Sequence, residues 1–228
     1  MKYKNKSIQI SCDGGAATGK STGAQMIAKK YKLKFLSSGL LYRYASFLIL
    51  KYKPKNKLSI LKDYFKKLDY KQLKKINLHS PKISEHSSLI AKNNKIREIL
   101  KKFQIDFAKK NNNCCIEGRD ISTKILPKSD VKFYFTCKLT TAAKRRYKEL
   151  KKTNPKIKLQ NVKKALRIRN KLDISRKHSP LLRHRNSVEI DTGKLNKHAT
   201  LKKMIKHVEM VLIKKYGDRR NKKHKFKI

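Results

Sequence analysis

Apolar residues fall along the chain in short runs that switch between the two-residue period of a strand and the three-to-four-residue period of a helix. A β-branched run over 7–12 stops at Asp13-Gly14-Gly15, which reads as strand and then turn. From Lys20 onward Ala24, Ile27, Ala28 and Tyr31 recur at helical spacing. A short strand over 34–36 runs into Ser37-Ser38-Gly39 and a second helix through Leu50. Residues 51–88 break the rhythm, being lysine-rich, interrupted by Pro54 and Pro81 and only weakly periodic, the pattern of an inserted lobe. Over 87–110, Leu89, Ile96, Ile99, Leu100, Phe103 and Phe107 predict one helix that ends before Asn111-Asn112-Asn113. Cys114-Cys115-Ile116 predicts a buried strand closed by Gly118-Arg119-Asp120, and 131–136 predicts another after Pro127. Helices are expected over 140–151 and 162–172, divided by Thr153-Asn154-Pro155, then a last strand over 188–190 and a closing helix over 201–216.

Five strands alternating with helices predict an α/β fold on a central parallel sheet. At 228 residues the chain has room for one such domain with a small inserted lobe, and no internal repeat is visible. Apolar residues make up 38%, spread throughout, which excludes a wholly disordered chain. No purely apolar run exceeds four residues, as at 47–50, far short of the roughly 20 residues of a membrane span. Residues 1–7 lack the pattern of a secretory leader, so a cytoplasmic location is expected. Cys12, Cys114, Cys115 and Cys137 show neither disulfide-framework nor zinc spacing and are expected to be small buried hydrophobes in a reducing compartment.

Charge adds one useful distinction. The 62 Lys and Arg against 15 Asp and Glu give a formal net charge of +47, and 50 of those cations are lysines. They are scattered, apart from a basic tail over 217–228 that is expected to be disordered, so most read as a compositional bias that would attract nucleic acid only nonspecifically. Where lysine is the default cation, the 12 arginines stand out for their forked, planar geometry.

The strongest motif is Gly14-Gly15-Ala16-Ala17-Thr18-Gly19-Lys20-Ser21, a full G-x-x-x-x-G-K-[ST] between a predicted strand and a predicted helix. Glycines let successive backbone N–H groups curl around phosphate oxygens, and the helix N-terminus adds a favourable dipole at the same point. ATP or GTP binding follows, with Lys20 reaching the phosphates and Ser21, or neighbouring Thr22, offering a hydroxyl to Mg²⁺. Arg43 and Arg119 follow the second and third predicted strands, on the edge where ligand crevices of α/β sheets lie. Arg145 and Arg146 lie on one predicted helix, and Arg167, Arg169 and Arg176 on and just beyond the next, where Arg169 and Arg176 are expected to share a face with Asp173. Such a set reads as an arginine-lined helical lid closing over two phosphate compounds, against the plainer reading of solvated surface cations.

At these residues the chain resembles bacterial cytidylate kinases, members of the nucleoside monophosphate kinase group. The pattern runs in order through Asp13-Gly14 to Lys20-Ser21-Thr22, Ser38-Gly39-x-x-Tyr42-Arg43, Ile96-Arg97-Glu98, Gly118-Arg119-Asp120, Arg145-Arg146, Arg169-x-x-x-Asp173-x-x-Arg176 and Val188-Glu189-Ile190-Asp191-Thr192. The resemblance implies a three-layer P-loop fold with a nucleotide-binding insert over 44–97 and a lid over 145–176. It implies ATP as donor and CMP or dCMP as acceptor; a monomer with no membrane partner is expected. Arg43, Arg119 and Arg176 match positions on the acceptor phosphate, Asp173 the contact to the sugar, and Ser38 a further acceptor position. Ser88, Arg97 and Asp120 match the cytosine-reading set, in which Asp120 can accept from the exocyclic amino group that uracil lacks. Arg145 and Arg169 match donor-side or lid arginines. Lys20, Arg119 and Arg169 are thus expected to stabilise the transferring group, with no general base needed for a phosphate oxygen. The chain departs from the family at Ser37 and Glu117, where Asp is usual, at Ser122, where glycine is usual, and at Ile105 and Leu172, which are often arginine.

Two alternatives remain at this point. One is a P-loop kinase for another small acceptor such as UMP or shikimate, which Asp120 with Arg97 argues against. The other is a basic RNA- or ribosome-associated P-loop protein, which would need base-stacking aromatics among its basic residues, a pattern this chain lacks.

Overall fold

A computed structural model describes residues 6–152 and 154–217, so the basic tail expected over 217–228 lies outside the described residues except for Gly217. Five strands, β1 (Gln9–Gly14), β2 (Lys34–Ser37), β3 (Cys114–Gly118), β4 (Val131–Thr136) and β5 (Val188–Asp191), form one sheet in the order β2-β3-β1-β4-β5. All four pairings are parallel. Parallel strands need crossovers, and the helices supply them: α1 (Lys20–Lys30), α2 (Ser38–Tyr52), α3 (Lys57–Lys66), α4 (Pro81–Ile90), α5 (Asn94–Lys110), α6 (Leu139–Lys151), α7 (Leu159–Ser175) and α8 (Lys197–Tyr216).

Helices cover both faces, which is why β3 is buried along its whole length. Its residues alternate between two cores. Cys114 and Ile116 pack with Leu41, Leu48, Leu61 and Leu100 from α2, α3 and α5. Cys115 packs with Ile10, Phe133, Phe135 and Ile190 of the neighbouring strands and with Ile27, Met204 and Val208 from α1 and α8. Cys12, Cys114 and Cys115 are buried free thiols as expected, while Cys137 is only half-buried.

The segment between α2 and α5 is more regular than its sequence suggests. Its weak periodicity conceals α3, a 3₁₀ turn at Tyr70–Lys75 and α4, because each helix is short and buries only a few residues, such as Leu61 and Phe65 on α3. The single helix expected over 87–110 is two. Asn93 accepts from the Ile96 N–H and caps α5, while Ser80 and Pro81 open α4. Leu89, placed on the apolar stripe by spacing, ends up 55% exposed on α4, and Ile90 is buried in its stead. The bounds 44 and 97 drawn for the insert fall inside α2 and α5.

Registers such as Asp13↔Gly118, Ser37↔Glu117 and Thr136↔Asp191 keep the carboxyl ends of the strands level. Every loop that carries a candidate residue therefore opens on one edge of the sheet. The central strand β1, with β3 on one side and β4 on the other, sits where the connections diverge.

Candidate active site

The glycine loop leaves β1 through Gly14, whose φ of +153° and close approach to the Phe135 carbonyl leave no room for a Cβ. It enters α1 through Gly19 at φ +77°, which has no side chain to cap the helix. The first N–H groups of α1 thus remain available to an anion. Thr192, after β5, braces the crest: its hydroxyl donates to the Thr18 carbonyl at 2.7 Å. Arg145 of α6 in turn donates to the Thr192 hydroxyl at 2.8 Å and to its carbonyl at 2.7 Å.

Lys20 is only 6% exposed and donates to Glu117 at the end of β3, and Ser37 donates to the other oxygen of the same carboxylate. Burial alone would raise the Glu117 carboxyl, but the Lys20 charge, the two hydrogen bonds and Arg119 hold it below its ordinary range. Burial lowers Lys20, with the Glu117 carboxylate opposing. One longer carboxylate on β3 thus binds the loop lysine and the β2 edge together, and Ser37 also caps α2 by accepting from the Leu40 N–H.

Across the cavity stands a second network. Arg97, 5% exposed, donates to Asp120 at 2.5 Å and lies over the Tyr42 ring, 5.6 Å from its centroid. Arg176 is 3.8 Å from the other Asp120 oxygen, and its Nη2 is buried with no hydrogen-bond partner among the described residues. Arg119 donates through Nε to Asp173 at 2.8 Å. Burial would raise Asp173, yet Arg119, Arg169 and Arg176 hold it below its ordinary value. Arg119 rises above its own, the Asp173, Glu117 and Asp13 charges outweighing the desolvation that opposes them. Asp13 is buried beneath and accepts from the Ile121 N–H at 2.8 Å, the Ser122 N–H at 2.7 Å and the Ser122 hydroxyl at 2.5 Å. It fixes the π-helical turn Ile121–Ile125 directly after Arg119-Asp120.

One cavity of about 1460 Å³ joins the two networks, lined from Gly15, Lys20 and Ser21 at one end to Ser38, Ser88, Arg97 and Asp120 at the other. That exceeds the roughly 300–1,000 Å³ of a pocket for one small ligand, so two fit. Its middle is lined by Arg43, Arg119, Arg146 and Arg169. Of the residues singled out in the sequence, Gly15 to Thr22, Ser38, Arg43, Ser88, Arg97, Arg119, Asp120, Arg145, Arg169, Asp173 and Arg176 all line this space, with Gly14 at its root. Arg176 does not share a helix face with Arg169: α7 ends at Ser175, and Arg176 is extended at φ −66°, ψ 138°, held by the Ser179 carbonyl.

Other residues carry no motif signal. His79, ahead of α4, meets Arg43 through Nδ1 at 2.6 Å, and partial burial together with the Arg43 and Arg146 charges lowers its pKa. Tyr70 accepts from the Ser37 N–H at 2.7 Å, tying the segment between α2 and α5 to the sheet edge. Asn170 on α7 and Thr192 reach the glycine loop, and only Thr192 lay in a recognisable pattern.

A family model described as cytidylate kinase matches residues 10–210. A protein of Bartonella tribocorum named cytidylate kinase is 38% identical over 200 residues, covering 86% of this chain and 91% of the relative. One of Clostridium tetani with the same name is 31% identical over 222 residues, covering 92% and 97%. Among solved structures, an uncharacterized protein from Eubacterium ventriosum superposes with a TM-score of 0.55 at 15% identity over 89% of this chain and 98% of that one, a likeness of fold.

Proposed function

The chain belongs to the cytidylate kinase family and phosphorylates CMP with ATP, and from that premise we propose how its own residues divide the work. The observation that carries the reading is the Arg97–Asp120 pair, two buried charged side chains facing the glycine loop across one cavity. An aspartate held by arginine can accept from the cytosine amino group, and Arg97 and Ser88 complete the base contact. The buried Nη2 of Arg176, which makes no hydrogen bond among the described residues, would with Arg43 and Arg119 take the acceptor phosphate, Asp173 the sugar hydroxyls, and Ser38 would complete this end.

The donor phosphates would lie on the backbone amides of the loop up to Ser21, except that of Ala16, which already donates to Asn170. Lys20 has three donors and gives one to Glu117, which leaves two for phosphate oxygens. Arg119 and Arg169 meet between the two ends, where charge builds on the group in transit, and Arg145 steadies the donor side. In-line transfer between positioned phosphates needs no covalent intermediate. Mg²⁺, a hard cation, would neutralise donor charge. It takes few protein oxygens and otherwise phosphate and water, which suits the exposed Ser21 hydroxyl in the cavity wall. The helices between α2 and α5, with parts of those two helices over 44–97, act as the acceptor lobe, and α6–α7 over 145–176 as the lid. On this reading the protein is a monomer, and four free cysteines suit a cytoplasmic setting. Among the described residues no helix is long and apolar enough to cross a membrane.

The test is ADP production with Mg-ATP and a panel of CMP, dCMP, UMP, AMP and shikimate at moderate salt. Turnover confined to CMP and dCMP is expected; equal turnover with UMP would remove the base-reading role of Asp120.

A further inference from the structure

The α6–α7 hairpin touches the glycine loop at a point none of the motifs marks. Asn170, next to Arg169 on α7, places its carboxamide oxygen 3.1 Å from the backbone N–H of Ala16, which donates to it. The same oxygen would lie 3.2 Å from a Cβ on Gly15, so the carboxamide rests directly on the turn. Beside it Ala16 and Ala17 pack with Ala142, Ala143, Val162 and Leu166 of the hairpin. Ala17 holds its methyl in that cluster at φ +57°, a left-handed conformation unfavourable to residues other than glycine. The loop and the hairpin therefore share one small core, and the Asn170–Ala16 bond is its polar tie.

The hairpin needs such a tie. Desolvation and then the Arg119 charge, with further repulsion from Arg43 and Arg146, bring the half-buried Arg169 guanidinium down to about 10. Before phosphates arrive, the like charges of these arginines disfavour their convergence on the cavity, with Asp173 only partly offsetting them. The Arg119–Asp173 ion pair opposes this, but both of its members are assigned to the incoming acceptor and would re-partner. Asn170 is neutral and binds backbone, so its bond persists while the arginines exchange partners. Fixing residue 170 also fixes the rotation of α7 about its axis, since neighbouring side chains leave a helix at set angles.

We propose that Asn170 is a positioning residue, whose carboxamide oxygen ties α7 to the glycine loop and thereby sets where Arg169 meets the transferring phosphoryl group. The inference rests on the role given to Arg169 above. Alanine at 170 is a good helix former on a half-buried face, so the variant should fold. Asn170→Ala removes the acceptor, while Asn170→Asp keeps an acceptor oxygen in the same place.

Amide exchange at Ala16, read by NMR in the nucleotide-free protein, reports the bond without activity. Asn170→Ala is expected to speed that exchange about tenfold and to lower kcat five- to tenfold with KM for CMP changed less than about twofold, the scale of one lost hydrogen bond. Asn170→Asp is expected to restore both. Unchanged Ala16 exchange in Asn170→Ala, or faster exchange with wild-type kcat, overturns the proposal. Arg169→Ala separates it from its premise: a large loss of kcat there with none in Asn170→Ala overturns the positioning role alone. No loss in Arg169→Ala overturns the role of Arg169 and the positioning with it.

Discussion

The two ends of the cavity are made of different materials. The donor end is backbone: a loop of consecutive amides between β1 and α1, shaped by glycines at φ +153° and +77°. The acceptor end is side chains drawn from α2, α5, the loop after β3 and the end of α7, held in place by ion pairs among Arg97, Asp120, Arg119, Asp173 and Arg176. A site built from a continuous stretch of backbone tolerates exchange of most of its side chains, since amides do the binding. One built from converging side chains loses its geometry when any partner is removed, because the remaining charge is left buried. Substitutions at the two ends should therefore fail differently.

The largest expected effect is at the one donor-end side chain the comparison cannot spare. Lys20→Ala should lower kcat about 10³-fold, the scale of removing a preorganised charge from a transition state. It also strands the buried Glu117 carboxylate, with Ser37 and Arg119 as its remaining partners, and should cost up to about 3 kcal/mol of stability. Lys20→Ala with Glu117→Gln should recover the melting temperature and leave turnover at the lower level. Recovery of turnover by the double variant would show that Lys20 acts only through folding. Asp120→Asn comes next. Its amide cannot serve both Arg97 and a cytosine amino group, since one of its two polar atoms is a donor. Losing a hydrogen bond to a charged group costs about 1.5–3 kcal/mol, so kcat/KM for CMP should fall about ten- to a hundredfold. UMP turnover and KM for ATP should change less than about threefold. Equal losses with CMP and UMP would make Asp120 a scaffold for Arg97 and would blur the distinction between the two ends.

The same contrast explains what could be read before the fold was known. Gly14 to Ser21 is contiguous, so its spacing alone announces phosphate binding, and five strands with one-edge loops follow from hydrophobic period. The acceptor residues are far apart in the chain. Strand order alone puts Arg43 and Arg119 on the ligand edge, but Ser88, Arg97 and Asp120 join them only through resemblance to a family, and nothing local distinguishes Arg97 from Arg167. Contacts within the cavity wall were invisible for the same reason. Glu117 looked like a departure from a pattern, yet it bridges Lys20 and Ser37 across two strands. His79, in the loop ahead of α4, and Asn170, on α7, sit in lysine-rich stretches where no spacing singles them out, and each is defined by the partner that tertiary packing supplies. Arg176 was misplaced because a seven-residue interval implies a shared face only while the helix continues, and α7 ends one residue before it.

The smallest expected effect lies beneath the boundary between the two ends. Asp13 closes β1 just before the glycine loop, and its three bonds to Ile121 and Ser122 hold the turn that follows Arg119-Asp120. Ser122→Gly deletes the hydroxyl and leaves the two amides in place. Burial already raises the Asp13 carboxyl above its ordinary value, with the Ser122 hydroxyl and the Ser122 and Ile121 amides opposing that rise. Removing one opponent raises it further, so the ionised group costs the native state more. That cost is fully present above the native value of Asp13 and disappears as pH falls through it toward the unfolded value of about 3.9. Ser122→Gly should therefore be destabilised by about 1 kcal/mol at pH 7 in urea unfolding, with the gap to wild type narrowing as pH is lowered. KM for CMP should rise less than about threefold, because the two amide bonds still hold Asp120 in register. A gap that stays constant on acidification would mean Asp13 is already protonated in both native proteins at neutral pH, and the two ends would then be joined by a neutral bond instead of a buried charge.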